Sequence, residues 1–231
     1  MAYLMLRLGA LRLSIFLGEI MKFVKSVVFG GAVALLSITG ANAATYANTP
    51  NGQIFSMGYP DTTSYGQTFS APGGDLLNWT FYLTGGNSGS GRFVIADWDG
   101  SKAVGPELFN SSFSYAGGVQ SVSFSGINLG MLAGNDYIAY MTIAGVDPVD
   151  AYSDVSVSGS SDDDGLGGEF RYLNSGGVDP LSLDNVWDSY FVSDMQFSAE
   201  FGVSQVPEPA MLSLFGLALL GLMGTRSRKS V

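Results

Sequence analysis

An all-β fold, in the form of a two-sheet antiparallel β-sandwich of jelly-roll type, is predicted by three features. Between Thr45 and Val203 no stretch sustains a helical period, whereas alternation of apolar and polar residues recurs. Turn signals at Gly73-Gly74, Gly85-Gly86-Asn87, Asp99-Gly100, Gly117-Gly118, Gly134-Asn135, Asp164-Gly165 and Gly176-Gly177 divide this stretch at intervals suited to short strands. Glycine supplies 32 of 231 residues, about twice the usual share of roughly 7%, without the period of collagen.

In chain order, residues 1–20 hold an apolar run (LSIFLG) with Arg7 and Arg12. They read as an extension from an upstream start codon, with Met21 the true start. Residues 21–43 have the three parts of a secretory signal. Lys22 and Lys25 form the basic start, Ser26 to Gly40 is uncharged, and Ala41 and Ala43 are the small residues signal peptidase requires. Cleavage is expected after Ala43.

Residues 44–203 form the expected sandwich. Its clearest strand alternates Met195, Phe197, Ala199 and Phe201 with Asp194, Gln196, Ser198 and Glu200, giving one wet face. Trp79-Phe81-Leu83, Val122-Phe124, Val155-Val157 and Phe170-Tyr172 repeat the pattern, and Trp79 is expected in the core. Arg92 to Ala96 (RFVIA) and Tyr137 to Ile143 (YIAYMTI) are apolar on both sides and are expected to be central strands. About 160 residues suffice for a core without disulfides.

Residues 204–231 begin with Val206-Pro207-Glu208-Pro209, continue through fifteen uncharged residues from Ala210 to Gly224, and end with Arg226, Arg228 and Lys229. At ~1.5 Å per residue such a helix reaches about 22 Å, short of the roughly 30 Å of a bilayer core, so it spans only with help from its flanks. The basic cluster stays cytoplasmic and the body faces the other side, in agreement with the signal peptide.

This order of parts resembles the PEP-CTERM sorting signal, a tail also catalogued as an ice-binding-protein C-terminal domain. The resemblance implies recognition by an exosortase, an integral-membrane cysteine protease that removes the tail during export in Gram-negative bacteria that make extracellular polysaccharide. Pro207, Glu208 and Pro209 are then substrate rather than catalyst. Both prolines oppose helix and hold an extended, accessible segment at the membrane surface. The body also resembles, diffusely over residues 64–202, the β-sandwich modules of PEP-CTERM proteins. That likeness rests on Gly66-Gln67-Thr68-Phe69, Ala96-Asp97-Trp98-Asp99, Gly105-Pro106-Glu107-Leu108 and Leu132-Ala133-Gly134-Asn135-Asp136-Tyr137. It implies a fold, and its best-known relatives bind carbohydrate.

Charge and composition narrow the function further. Seven of ten bases lie in the terminal segments, so residues 44–205 carry three bases against 18 acids, a net −15. Nucleic acid is excluded as a partner by the missing basic stripe. With no His and no Cys, there is no imidazole base, thiolate nucleophile or disulfide.

Candidate chemistry is sparse. Asp97 and Asp99, on one side of a strand end before Gly100, are a tentative oxygen cage for Ca²⁺, with a plain β-turn as the alternative. Asp162-Asp163-Asp164 with Glu169 reads as a solvated acidic loop. Trp98 and Trp187, flanked by Asp97, Asp99 and Asp188, are candidates to stack on a sugar. A glycosidase needs two opposed carboxylates, and Glu107, Glu169 and Glu200 are the only glutamates of the body.

The expected function is that of an exported, surface-associated, non-enzymatic matrix protein contacting polysaccharide. A carboxylate-dependent glycoside hydrolase is the alternative. Ice binding would require flat ranks of Thr, and the sequence has no such repeat.

Overall fold

The computed structural model describes residues 43–59, 62–162, 165–190 and 194–202. The expected signal and tail helices, Ala41, the sorting residues Val206 to Pro209, the basic residues Arg226, Arg228 and Lys229, and Asp163 and Asp164 lie outside them. Among the described residues no helix is long and apolar enough to cross a membrane.

The described chain forms twelve strands: β1 (Ala43–Ala47), β2 (Gln53–Met57), β3 (Ser64–Ser70), β4 (Gly74–Gly85), β5 (Gly89–Trp98), β6 (Ala103–Tyr115), β7 (Gln120–Met131), β8 (Asp136–Thr142), β9 (Val155–Ser160), β10 (Phe170–Leu173), β11 (Asp194–Met195) and β12 (Phe197–Gly202). They pair antiparallel into a seven-stranded and a five-stranded sheet, as the alternating pattern predicts. In the first, β4 lies between β7 and β12, β12 pairs onward with β1, and β9 joins β2, β11 and the far end of β4. The second has the order β10-β3-β8-β5-β6.

Alternation decides which face meets the core. Phe197, Ala199 and Phe201 of β12 are buried beside Trp79, Phe81 and Leu83 of β4, while Ser198 and Glu200 are half-buried on the outer face. Trp79 stacks on Phe197 at 4.7 Å and 5°, and Phe93 on Phe124 at 4.2 Å and 22°. Such pairs contribute about 0.5–1.5 kcal/mol each beyond burial. Asp194 departs from the alternation. It is buried, and its Oδ1 accepts a 2.6 Å bond from Gln67 Nε2 while Gln67 Oε1 accepts from Met195 N at 2.8 Å. This network ties β3 to β11 across the sheets, and its bonds offset the desolvation of both side chains.

The strands apolar on both sides, β5 and β8, are interior in the five-stranded sheet. Phe93, Ile95, Ala139 and Met141 face the main core, whereas Val94, Ala96, Ile138 and Tyr140 form a second cluster with Leu173 and Trp187. The cover is the segment 174–190, which includes a 3-10 turn at Pro180–Ser182. Trp187 N donates to Ser101 O at 2.9 Å, and Asp188 exchanges two 3.0 Å backbone bonds with Tyr172.

Pairing of Ala43 with Gly202 sets the start of β1 beside the end of β12. The chain therefore enters and leaves the sandwich at one pole. The turns Gly73-Gly74 and Gly134-Asn135 lie at the same end, since Gly74 pairs with Met131 and Ala71 bonds Gly134 and Asn135.

Candidate functional site

At this pole β5 ends in Asp97 and Trp98, and the next four residues make a turn. Asp99 Oδ1 accepts from Ser101 N at 2.8 Å, Ser101 Oγ at 2.9 Å and Lys102 N at 2.9 Å. The Lys102 and Ser101 backbone bonds hold the Asp99 carboxyl below the usual carboxylate range. Asp99 thus organises the bend, and one of its oxygens is spent on protein donors. Asp97 lies on β5, half-buried, opposite Val104 and Tyr137. Among the described residues no three Asp, Glu, His or Cys side chains come together as a metal-holding group.

The two tryptophan candidates are brought together but play different parts. Their rings meet edge to face at 6.2 Å. Trp187 is 1% exposed and packs on Tyr140 at 5.3 Å, so its ring faces serve the second cluster rather than the surface. Burial raises the Tyr140 phenol well above its usual range and keeps it protonated. Trp98 is half-buried and borders an open groove of about 300 Å³ with Thr68, Ser70, Asp136, Glu169 and Arg171.

Strand pairing builds the rest of this groove. The Arg171 guanidinium lies 5.8 Å from the Trp98 ring centroid and forms an ion pair with Glu169. Thr68 clamps Glu169 by accepting its N–H at Oγ1, 2.8 Å, and donating its own N–H to Glu169 O at 3.0 Å. Ser70 donates to Asp136 on the neighbouring strand. Gly168 permits the close approach: its φ is +94°, and a Cβ there would stand 1.9 Å from Thr68 O. An aromatic ring with a guanidinium over it, in a groove with two carboxylates and two hydroxyls, can pack on an apolar ring face and hydrogen-bond its substituents.

The remaining glutamates do not join this groove. Glu107 pairs with Arg92 at 2.6 Å, and Glu200 accepts from Asn78 on the outer face of the seven-stranded sheet. Spacing along the chain does not mark Arg171 as a groove residue, and it places Asp136 only within the Leu132–Tyr137 run that leads into β8. The signal for Arg171 was its rarity as one of three bases in an acidic body.

Beyond the described residues, the comparison that decides the tail covers its motif, apolar stretch and basic end together. Residues 205–229 match the PEP-CTERM protein-sorting motif. The matched range spans the positions of Val206, Pro207, Glu208, Pro209, Arg226, Arg228 and Lys229. No curated protein matches the chain. Among solved structures it is similar to the cysteine protease and lectin-like domains of Cwp84, a surface layer associated protein of Clostridium difficile, at 11% identity and a TM-score of 0.43. That alignment covers 70% of this chain and 36% of the other, so the chain spans about a third of that structure. It is also similar to the CBM36-1 domain of a multidomain xylanase from the hindgut metagenome of Trinervitermes trinervoides, at 14% identity and a TM-score of 0.28, covering 53% of this chain and 100% of that one. The family 11 carbohydrate-binding module from Clostridium thermocellum matches at 17% identity and a TM-score of 0.26, over 55% of this chain and 94% of the module.

Proposed function

We propose that this is an exported, non-enzymatic surface protein that is sorted by an exosortase and binds polysaccharide through the Trp98 groove. The observation that carries export is the sorting-motif match at residues 205–229. Signal peptidase cuts after Ala43, the apolar tail holds the chain in the inner membrane, and exosortase then acts at the VPEP segment. Two features of the body agree with this sequence of events. Ala43, at the expected signal cleavage point, pairs with Gly202, the last described residue before the tail. Cleavage after Ala43 also leaves Ala44 to Ala47 paired with β12. Mass spectrometry of the protein recovered from its native host is expected to find Ala44 at the N-terminus and a C-terminus near Val206 to Pro209. An intact mature tail would overturn exosortase cleavage.

The sandwich is read as a jelly roll, because β1-β12-β4-β7 and β3-β8-β5-β6 exchange successive strands between the sheets. Polysaccharide binding is supported by the half-buried Trp98 ring, which borders an open groove with Thr68, Asp136, Glu169 and Arg171. The non-enzymatic reading is supported by the state of the glutamates: Glu107 and Glu169 are ion-paired and Glu200 is bound to an amide. On a glycan array the full chain is expected to retain bound sugar without releasing products. Trp98→Ala is expected to weaken binding roughly tenfold, the worth of one stacking contact. Released sugars would replace this reading with a carboxylate-dependent hydrolase.

A further inference from the structure

A second groove lies toward the opposite end of β3. It opens between β2, which pairs with β9 in the seven-stranded sheet, and β10, at the edge of the five-stranded sheet. Its volume is about 320 Å³, at the lower bound of roughly 300–1,000 Å³ for small-molecule sites. The walls are aromatic: Phe55 from β2, Tyr65 from β3, Tyr172 from β10, and Tyr190. Asn174, Ser56 and Thr62 add an amide and two hydroxyls, and no carboxylate or base is among the described residues that line it.

Three observations indicate a built site. Tyr65 Oη donates 2.6 Å to Phe55 O, pinning β2 across the mouth of the sandwich. Tyr172 stacks with Phe170 at 6.1 Å and 20° and stands edge-on to Tyr65 at 6.4 Å, which fixes the ring walls. Ser56 has φ +66°, a conformation that costs a non-glycine residue about 1–3 kcal/mol and recurs at ligand clamps. Phe55 and Tyr190 nevertheless stay 62% and 52% exposed, although core burial of such rings is strongly favourable.

We propose that this groove binds an uncharged sugar unit of a polysaccharide and is a second carbohydrate site, separate from the Trp98 groove. This proposal rests on the polysaccharide-binding reading. Aromatic walls take the apolar face of a pyranose ring, and an amide with hydroxyls pairs with its hydroxyl groups. The described walls carry no ionised group, which keeps desolvation of a neutral sugar cheap and gives no counter-charge to an acidic one. Arg171 and Tyr172 are adjacent on β10 and point to opposite sides, so one edge strand serves both grooves. Two sites toward opposite ends of the sandwich let one molecule hold two polysaccharide strands, or one strand twice with raised avidity.

The test is affinity electrophoresis of the full chain in non-ionic detergent, in gels containing dextran, laminarin or galactomannan. Tyr190→Ala, Asn174→Ala and Trp98→Ala run beside the wild type, with thermal midpoints measured for each. Retardation by at least one neutral polymer is expected, reduced roughly tenfold in affinity by Tyr190→Ala or Asn174→Ala. With two independent grooves, Trp98→Ala should weaken retardation separately, the Trp98→Ala plus Tyr190→Ala double variant should lose more than either single variant, and added NaCl should leave the Tyr190-dependent part unchanged because no described residue lining that groove is ionised. If Trp98→Ala alone abolishes retardation, the second site is overturned and the Trp98 groove stands as the binding site. If none of the three polymers retards the wild type, the neutral-sugar site is overturned, while glycan-array binding lost in Trp98→Ala would still uphold the proposed function.

Discussion

Replacing Trp79 by alanine is expected to cost about 3–5 kcal/mol of folding stability, the range for emptying an aromatic site in a packed core. Trp79 is fully buried and touches Phe69, Phe81, Phe93 and Phe197, so its ring joins β3, β4, β5 and β12 across both sheets. Four large neighbours anchored on separate strands cannot all collapse into the void, and the residual cavity adds to the lost transfer energy. Domains of this size hold about 5–15 kcal/mol in total, so the variant sits near the unfolding threshold. Urea denaturation of wild type and variant measures this directly. Trp79→Phe should cost about 1.5 kcal/mol or less, because it keeps the stack on Phe197 and removes a buried indole N–H that has no hydrogen-bond partner among the described residues. A loss below about 1 kcal/mol for Trp79→Ala would mean that the aromatic cluster is not the main link between the sheets.

Trp187→Ala is expected to act differently, freeing the segment 174–190 from the outer face of the five-stranded sheet. The ring is buried in one cluster with Val94, Ile138 and Tyr140, whose further partners Trp98, Leu181 and Leu183 are only partly buried. Removing it costs up to about 3–5 kcal/mol by the same core arithmetic. The loss should be local, because the strap is held elsewhere by a few backbone bonds and the Lys102–Asp184 ion pair. Hydrogen exchange is expected to accelerate at Trp187, Asp188 and Tyr172, whose amides bond between the strap and its neighbours, while amides at the β4–β12 pairing stay protected. Binding at the Trp98 groove should weaken too, since Trp98 loses its edge-to-face partner and Arg171 loses a fixed platform. Trp187→Phe should restore protection and most of the binding. Loss of protection throughout both sheets would show that the strap is part of the global folding unit.

The tail shows how legible a linear signal is. A sorting motif is a run of neighbouring residues rather than a set of contacts, so VPEP, the apolar stretch and the basic end can be found in order along the chain, and residues 205–229 match the sorting motif. Strand positions are legible for a related reason: a half-buried strand must alternate, and β12 does so throughout and β4 from Asn78 to Thr84. The two-sided apolar runs of β5 and β8 likewise announce central strands.

Alternation does not say what covers an outer face. A tryptophan flanked by aspartates looks the same whether it faces a ligand or seals a sheet, and the difference between Trp98 and Trp187 arises because the strap lays one of them on Val94, Ile138 and Tyr140. Asp194 follows the polar beat of its strand yet is buried, since its partner Gln67 lies 127 residues away. The second groove is less legible still, with Phe55, Tyr65, Tyr172 and Tyr190 scattered over more than a hundred residues. Export, the acidic and base-poor character of the body, and its all-β class are properties of local pattern and sum, so they can be read along the chain. Which aromatic rings line grooves and which carboxylates are spent on turns and ion pairs depends on contacts between distant strands, where burial and hydrogen bonding compete only once the two sheets have closed on each other.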